Sequence, residues 1–187
     1  MKSNKIGEDS ISNVYDIGEG KVIKIARDGQ NLEREAKIQN KLSDISPKIF
    51  TYRDNWIIME KMDGTLYDII KTHIHDKPLF NMLIKSAKRD VRCAIRKMHE
   101  RSIIHNDMKS SNIFYKIIDN QYKFYIGDFG MAQKSKKDLT DKNVLLKLML
   151  KRWGDSDNIK FAVNEIFNTI RYEFEIEPTI SQSSENI

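Results

Sequence analysis

The chain of 187 residues, 40% hydrophobic and 32% charged, has the length and composition of one globular domain, which argues against two full domains and against a disordered chain. No apolar run reaches the roughly 20 residues that cross a bilayer, and the opening MKSNKIGEDS is basic without an apolar core, so neither a membrane span nor a secretory leader is expected. A net charge of +5 and a pI near 9.1 favour anionic partners in general, but nucleic acid is supported only weakly because the basic residues are spread along the chain.

In chain order, residues 14–17 and 21–25 are short β-branched runs around Gly18-Glu19-Gly20, a pattern that predicts a hairpin. Residues 31–42, NLEREAKIQNKL, predict a charged amphipathic helix, and 49–52 with 56–59 predict a second strand pair joined through Arg53-Asp54-Asn55. Phe80, Leu83, Ile84, Ala87, Val91, Ala94, Ile95 and Met98 recur at helical spacing and mark a long core helix. Cys93, the lone cysteine, falls inside it. A disulfide framework or Cys-rich zinc site within the chain is therefore excluded, a buried small hydrophobe is expected, and a reducing, cytoplasmic compartment follows. Strands are expected again at 113–118 and 122–126, turning at Asp119-Asn120. Lys134, Lys136 and Lys137 form a local basic cluster that reads as a solvated loop. Helices are predicted over 141–153 and 158–174, the second with Ile159, Val163, Ile166, Phe167 and Ile170 on one face, and residues 175–187 form a polar tail expected to be disordered.

The stretch from Ile103 to Ile113, IIHNDMKSSNI, followed by Asp128-Phe129-Gly130, gathers the groups that phosphoryl transfer needs. That reaction asks for positioning and charge neutralisation more than for covalent chemistry. Asp107 would sit beside the attacking hydroxyl and Lys109 would hold the transferring phosphoryl group. Asn112 and Asp128 supply the oxygens that a hard ion such as Mg²⁺ prefers, and the hairpin between them would bring the two together.

This constellation resembles the protein-kinase family, in which His105-x-Asp107-x-Lys109-x-x-Asn112 is the catalytic loop and Asp128-Phe129-Gly130 the metal-binding signature. Met98-His99 and Ile103-Ile104 are similar to the family's approach to that loop. The resemblance implies an α+β, bilobal fold with a small antiparallel-sheet N-lobe (about residues 1–60) and a reduced helical C-lobe (about 63–174), the tail lying outside the domain. It implies ATP with Mg²⁺ or Mn²⁺ as cofactors and a protein hydroxyl as acceptor, Ser/Thr being favoured by Lys109. Lys21-Val22-Ile23-Lys24 resembles the strand whose lysine grips the α- and β-phosphates, with Val22 on the same face covering the adenine. Glu35, ahead of Ile38 and Leu42, resembles the helix glutamate that orients this lysine, with Glu33 as the alternative partner. Met59 stands at the gatekeeper position, and the Glu60 carbonyl and Met62 backbone would bind the adenine edge.

The chain departs from the family in several places. Of the glycine-rich loop only Gly7 and Val14 remain, while Asp9 and Ser12 occupy the other glycine positions; side chains there hold the backbone off the phosphates and Asp9 would repel them, so weak ATP affinity is expected. Asn106 replaces the arginine that usually precedes the catalytic Asp, so phosphorylation of Ser135 or Thr140 is not expected to be the on-switch. No Ala-Pro-Glu motif follows, and the stretch after Gly130 is too short for a full peptide-binding C-lobe. In this the chain is similar to the compact kinases of tRNA-modification complexes or to some viral ones, which would act in the host cytoplasm. Asp141 either replaces the aspartate that pins the catalytic loop or is a plain helix N-cap. An active Ser/Thr protein kinase is the leading reading, with a pseudokinase or kinase-mimicking regulator second and a small-molecule phosphotransferase third.

Overall fold

Five strands, β1 (Asn4–Glu8), β2 (Ser12–Gly18), β3 (Lys21–Ala26), β4 (Ile49–Tyr52) and β5 (Trp56–Glu60), form one antiparallel sheet in the order β1-β2-β3-β5-β4. The computed structural model describes residues 4–73 and 75–134. The helices expected over 141–153 and 158–174, the tail, and Ser135, Lys136, Lys137, Thr140 and Asp141 lie outside the described residues. Both hairpins expected in the first sixty residues form. Their turn chemistry explains the first: Gly18, Glu19 and Gly20 all adopt positive φ (82°, 51° and 67°), which the two glycines take without strain. Asp16 Oδ1 accepts the Gly18 N–H at 2.9 Å and closes the turn.

Between β3 and β4 runs α1 (Glu33–Asn40), shorter than the pattern suggests. Asn31 turns its side chain back to accept the Glu33 N–H, and at the other end Lys41 and Leu42 donate three residues back, tightening the helix into turns. Leu32 and Ala36 pack with Ile57 under the sheet, whereas Leu42 and Ile45 belong to the second and larger core. Ile126 N–H donates to the Ile45 carbonyl at 2.8 Å, and Asp44 takes both guanidinium nitrogens of Arg101 at 2.9 and 3.2 Å. The segment after α1 is thereby fastened to the second half of the chain.

That half is built on α3 (Lys77–Glu100) and a three-stranded sheet of β6 (Gly64–Thr65), β8 (Ile113–Ile118) and β9 (Gln121–Ile126), with α2 (Leu66–His73) between β6 and α3. Asp76 caps α3 by accepting the Leu79 N–H, and Pro78 sits in its first turn where no N–H is needed. Leu83, Ile84, Ala87, Val91, Ala94, Ile95 and Met98 form its buried stripe, as the spacing predicts, and Phe80 packs against the same core half-buried. Asp90 on α3 accepts the Phe124 N–H of β9 at 3.0 Å. β7 (Ile103–Ile104) and β10 (Gln133–Lys134) pair antiparallel, so Lys134 ends in a strand. The sequence pattern does not reveal β1, α2, β6, β7 or β10.

One expectation is overturned: Cys93 is exposed. It lies two residues from Val91, on the outward side of α3, so its helical context does not bury it. Replacing Ile95, 1% exposed, by Ala should therefore cost about 2–5 kcal/mol in a denaturant titration. Cys93→Ser should stay within about 0.5 kcal/mol. The reverse order would show that the buried face of α3 is wrongly assigned.

Candidate active site

Alternation along β3 points Val22 and Lys24 to one buried face, and Lys24 is the charged residue that this face must accommodate. Its ammonium lies 2.7 and 3.0 Å from the two carboxylate oxygens of Glu35, 3.2 Å from Asp128 and 3.2 Å from Asp9. Glu33 is not the partner; it pairs with Lys37 on the surface of α1 at 2.8 Å. Burial alone would lower the Lys24 pKa, but Glu35, Asp128 and Asp9 outweigh it and hold the group charged, its pKa raised. Burial raises the Glu35 carboxyl, and Lys24 offsets this only in part because Asp128 and Asp9 push the same way as burial.

The catalytic loop is set by a histidine and a hairpin. Buried His105 accepts the Asp107 N–H at Nδ1 (3.3 Å), so the ring donates Nε2–H to the Gly127 carbonyl (3.0 Å) and is neutral. Burial lowers its pKa, which favours the same form. Its ring also packs at a tilt against Phe129, which is fully buried, with centroids 5.0 Å apart. Pairing of Ile113 with Ile126 and a 2.9 Å bond from Gly127 N–H to the Asn112 carbonyl bring Asn112 beside the strand end that carries Asp128. Gly127 is required here by contact, because a Cβ would lie 2.7 Å from the Phe114 ring.

Asp107 Oδ2 is 2.7 Å from Lys109 Nζ and 3.2 Å from Asn112 Nδ2, which also bonds the Asp107 carbonyl at 2.8 Å. With its nitrogen so engaged, the Asn112 amide has its oxygen left to face a cation together with the Asp128 carboxylate. Among the described residues no cluster of three or more His, Cys, Asp or Glu side chains stands ready as a metal site. A hard ion held by Asn112 and Asp128 would complete its shell with water and ligand oxygens, as Mg²⁺ does. Asp128 and Asn106 both have positive φ, 61° and 64°. Asn106 is held there by its side chain, which donates to the Met131 carbonyl at 3.0 Å.

A cleft of about 410 Å³ lies between the two halves. Gly7, Val14, Val22, Lys24, Glu35, Met59, Glu60, Met62, Lys109, Asn112 and Asp128 all line it, and Asp107 reaches it through its bonds to Lys109 and Asn112. Sequence reasoning missed Gln39, Thr65, Asp68 and Phe114 in the same wall. Gln39, 1% exposed, donates to the Pro47 carbonyl at 2.8 Å and contacts Met59 sulfur at 3.7 Å. Thr65 and Asp68 were legible as a Thr-x-x-Asp capping pair: the Thr65 N–H and hydroxyl donate to Asp68 Oδ2 at 2.8 and 2.7 Å.

The family profile described as "Protein kinase domain" matches residues 4–153. Among curated relatives, the EKC/KEOPS complex subunit BUD32 of Encephalitozoon cuniculi is 32% identical over 133 residues, covering 69% of this chain and 60% of that protein. The serine/threonine-protein kinase shk2 of Schizosaccharomyces pombe is 33% identical over 100 residues (48% and 16%), and the serine/threonine-protein kinase CLA4 of Eremothecium gossypii 29% over 114 (58% and 14%). The chain thus matches less than two thirds of the length of each.

Because the His105 pKa is lowered on folding, the unfolded chain binds more protons on acidification. The stability that neutral His105 contributes is therefore fully present above the unfolded-state value of about 6.5 and is lost as pH falls below it. The unfolding midpoint should fall between pH 7.5 and 5.5, and His105→Asn, which cannot charge, should flatten that fall. His99, also lowered by burial, would supply the remainder. An unchanged slope in His105→Asn would remove His105 from the account.

Proposed function

Because the chain belongs to the protein kinase domain family, we propose that it transfers the γ-phosphate of ATP to a serine or threonine hydroxyl of a protein, using Mg²⁺ or Mn²⁺ bound by Asn112 and Asp128. The observation that carries this reading is the convergence of Lys24, Lys109, Asn112 and Asp128 on one cleft, with Asp107 bonded to two of them. When bound, the divalent ion neutralises charge on the phosphate oxygens. Lys24, oriented by Glu35, holds the α- and β-phosphates. Val22 covers the adenine from the sheet side, and the backbone of Glu60 and Met62 reads its edge. Asp107 orients the acceptor hydroxyl and receives its proton, while Lys109 steadies the transferring phosphoryl group. Likeness to an EKC/KEOPS subunit further supports a chain that works within a protein assembly, and the lone cysteine suits a reducing, cytoplasmic setting.

A regulator that binds no nucleotide is the second reading, favoured by the Asp9 carboxylate on Lys24. Labelled ATP with Mg²⁺ or Mn²⁺ and generic acceptors such as casein separates the two. Transfer to any acceptor, or to the chain itself, supports the kinase; no transfer and no ATP-induced thermal shift leaves the regulator.

Asp107→Ala should lower kcat by about 10²-fold or more with Mg-ATP affinity nearly intact, whereas Asp128→Ala should weaken Mg-ATP binding as well. Equal loss of binding in both would refute the separate roles. The segment after Asp128 is seated without a phosphate, because Asn106 holds the Met131 carbonyl and Arg34 the Ala132 carbonyl. Phosphatase-treated protein should accordingly keep most of its activity; a tenfold loss would mean that a phosphate governs this segment.

A further inference from the structure

Asp9 closes the β1–β2 connection through its own side chain. Its Oδ1 accepts the N–H groups of Ile11 and Ser12 at 2.8 and 2.7 Å, and its Oδ2 accepts the hydroxyl of fully buried Ser12 at 2.7 Å. The Asp9 N–H closes the turn onto the Ser12 carbonyl at 3.0 Å. What this turn presents to the cleft is the Oδ2 oxygen, 3.2 Å from Lys24 Nζ. Burial pulls the carboxyl upward, but the Ser12 hydroxyl, Lys24 and the Ile11 N–H outweigh it, so the group stays ionised.

An ammonium has three hydrogens to donate, and three carboxylates already surround this one. A phosphate that takes its place at Lys24 must displace one of them. Glu35 is 4% exposed and meets Lys24 with both oxygens, and Asp128 is committed to the metal in the reading above. Asp9 is 29% exposed and sits on the short connection between β1 and β2. It is the partner most readily released. We propose that Asp9 is a built-in phosphate surrogate, an autoinhibitory contact that holds Lys24 and the β1–β2 loop in place over the cleft and is displaced when a nucleotide polyphosphate binds. The inference rests on the reading of the cleft as a nucleotide site. Binding then discriminates by phosphate: a nucleoside enters with the loop in place, whereas a di- or triphosphate must first break the Asp9–Lys24 contact.

Isothermal titration of the full chain with adenosine, ADP and Mg-ATP tests this. Asp9→Asn keeps an oxygen for the Ile11 and Ser12 N–H groups while removing the charge, and Asp9→Gly is a second variant should the first fold poorly. Both should bind ADP and Mg-ATP about tenfold more tightly than the parent, a gain of about 1.4 kcal/mol, with adenosine changed by less than about twofold. Unchanged ADP and ATP affinity in folded variants overturns the surrogate while leaving the nucleotide site standing. Weaker ATP binding also overturns it, because Asp9 would then contact the bound nucleotide or its metal. An equal gain for adenosine overturns it as well, reducing the loop to a steric cover. If parent and variants bind none of the three ligands, the nucleotide-site reading falls and takes this inference with it.

Discussion

Carboxylates from a β-strand connection, a helix and the loop after β9 (Asp9, Glu35 and Asp128) meet at the ammonium of Lys24, and the geometry of the cleft is organised around that point. A buried ammonium without partners would be costly by several kcal/mol, so the fold must deliver α1 and the Asp128 segment to the same place that β3 delivers Lys24. One cation against three carboxylates leaves a local excess of negative charge. In the proposed reading the cluster would therefore accept a polyphosphate more readily in company with a metal than alone, which links the Lys24 end of the cleft to the oxygens of Asn112 and Asp128.

The catalytic loop depends on a different constraint, backbone geometry. Asn106 and Asp128 both occupy the left-handed region, where a non-glycine residue costs of order 1–3 kcal/mol. Neighbouring bonds hold that strain: His105 ties the Asp107 N–H to the Gly127 carbonyl, and the β8–β9 hairpin ties Asn112 to Gly127. Phe129 and Ile126, both fully buried, anchor the same strand end in the core. The residues flanking the strained positions are therefore among the most firmly packed in the molecule.

What could be read from the chain before its fold was the part carried by period and spacing. The turn at Gly18-Glu19-Gly20, the α3 stripe and the hairpin joining Asn112 to Asp128 each follow from local chemistry. Glu35 could be chosen over Glu33 because Ile38 and Leu42 mark which side of α1 faces inward. Elements of two residues, such as β6 and β7, exist only because a partner strand lies beside them, and no local pattern announces them. At Cys93 helical context suggests burial, but its position relative to Val91 turns it outward. At Asp9 the sequence announced a charge where glycine is usual and hence repulsion of phosphate. Its engagement of Lys24 is a tertiary contact between β1–β2 and β3 that spacing does not reveal.

The attachment of the segment behind α1 has a mechanical corollary. Leu42 and Ile45 are sunk in the second core, Asp44 grips Arg101, and the Ile45 carbonyl receives Ile126 N–H, so the C-terminal end of α1 is a fulcrum. Glu35 lies five residues before the helix end at Asn40, about 8 Å away at 1.5 Å per residue. A tilt of about 10° around that fulcrum would carry the Glu35 carboxylate more than about 1 Å, enough to stretch a 2.7 Å contact with Lys24 beyond hydrogen-bonding range. The helix is thus a short lever arm, and a shift of its N-terminal end, where Leu32 packs under the sheet and Arg34 bonds the Ala132 carbonyl, is transmitted to the ammonium as a displacement.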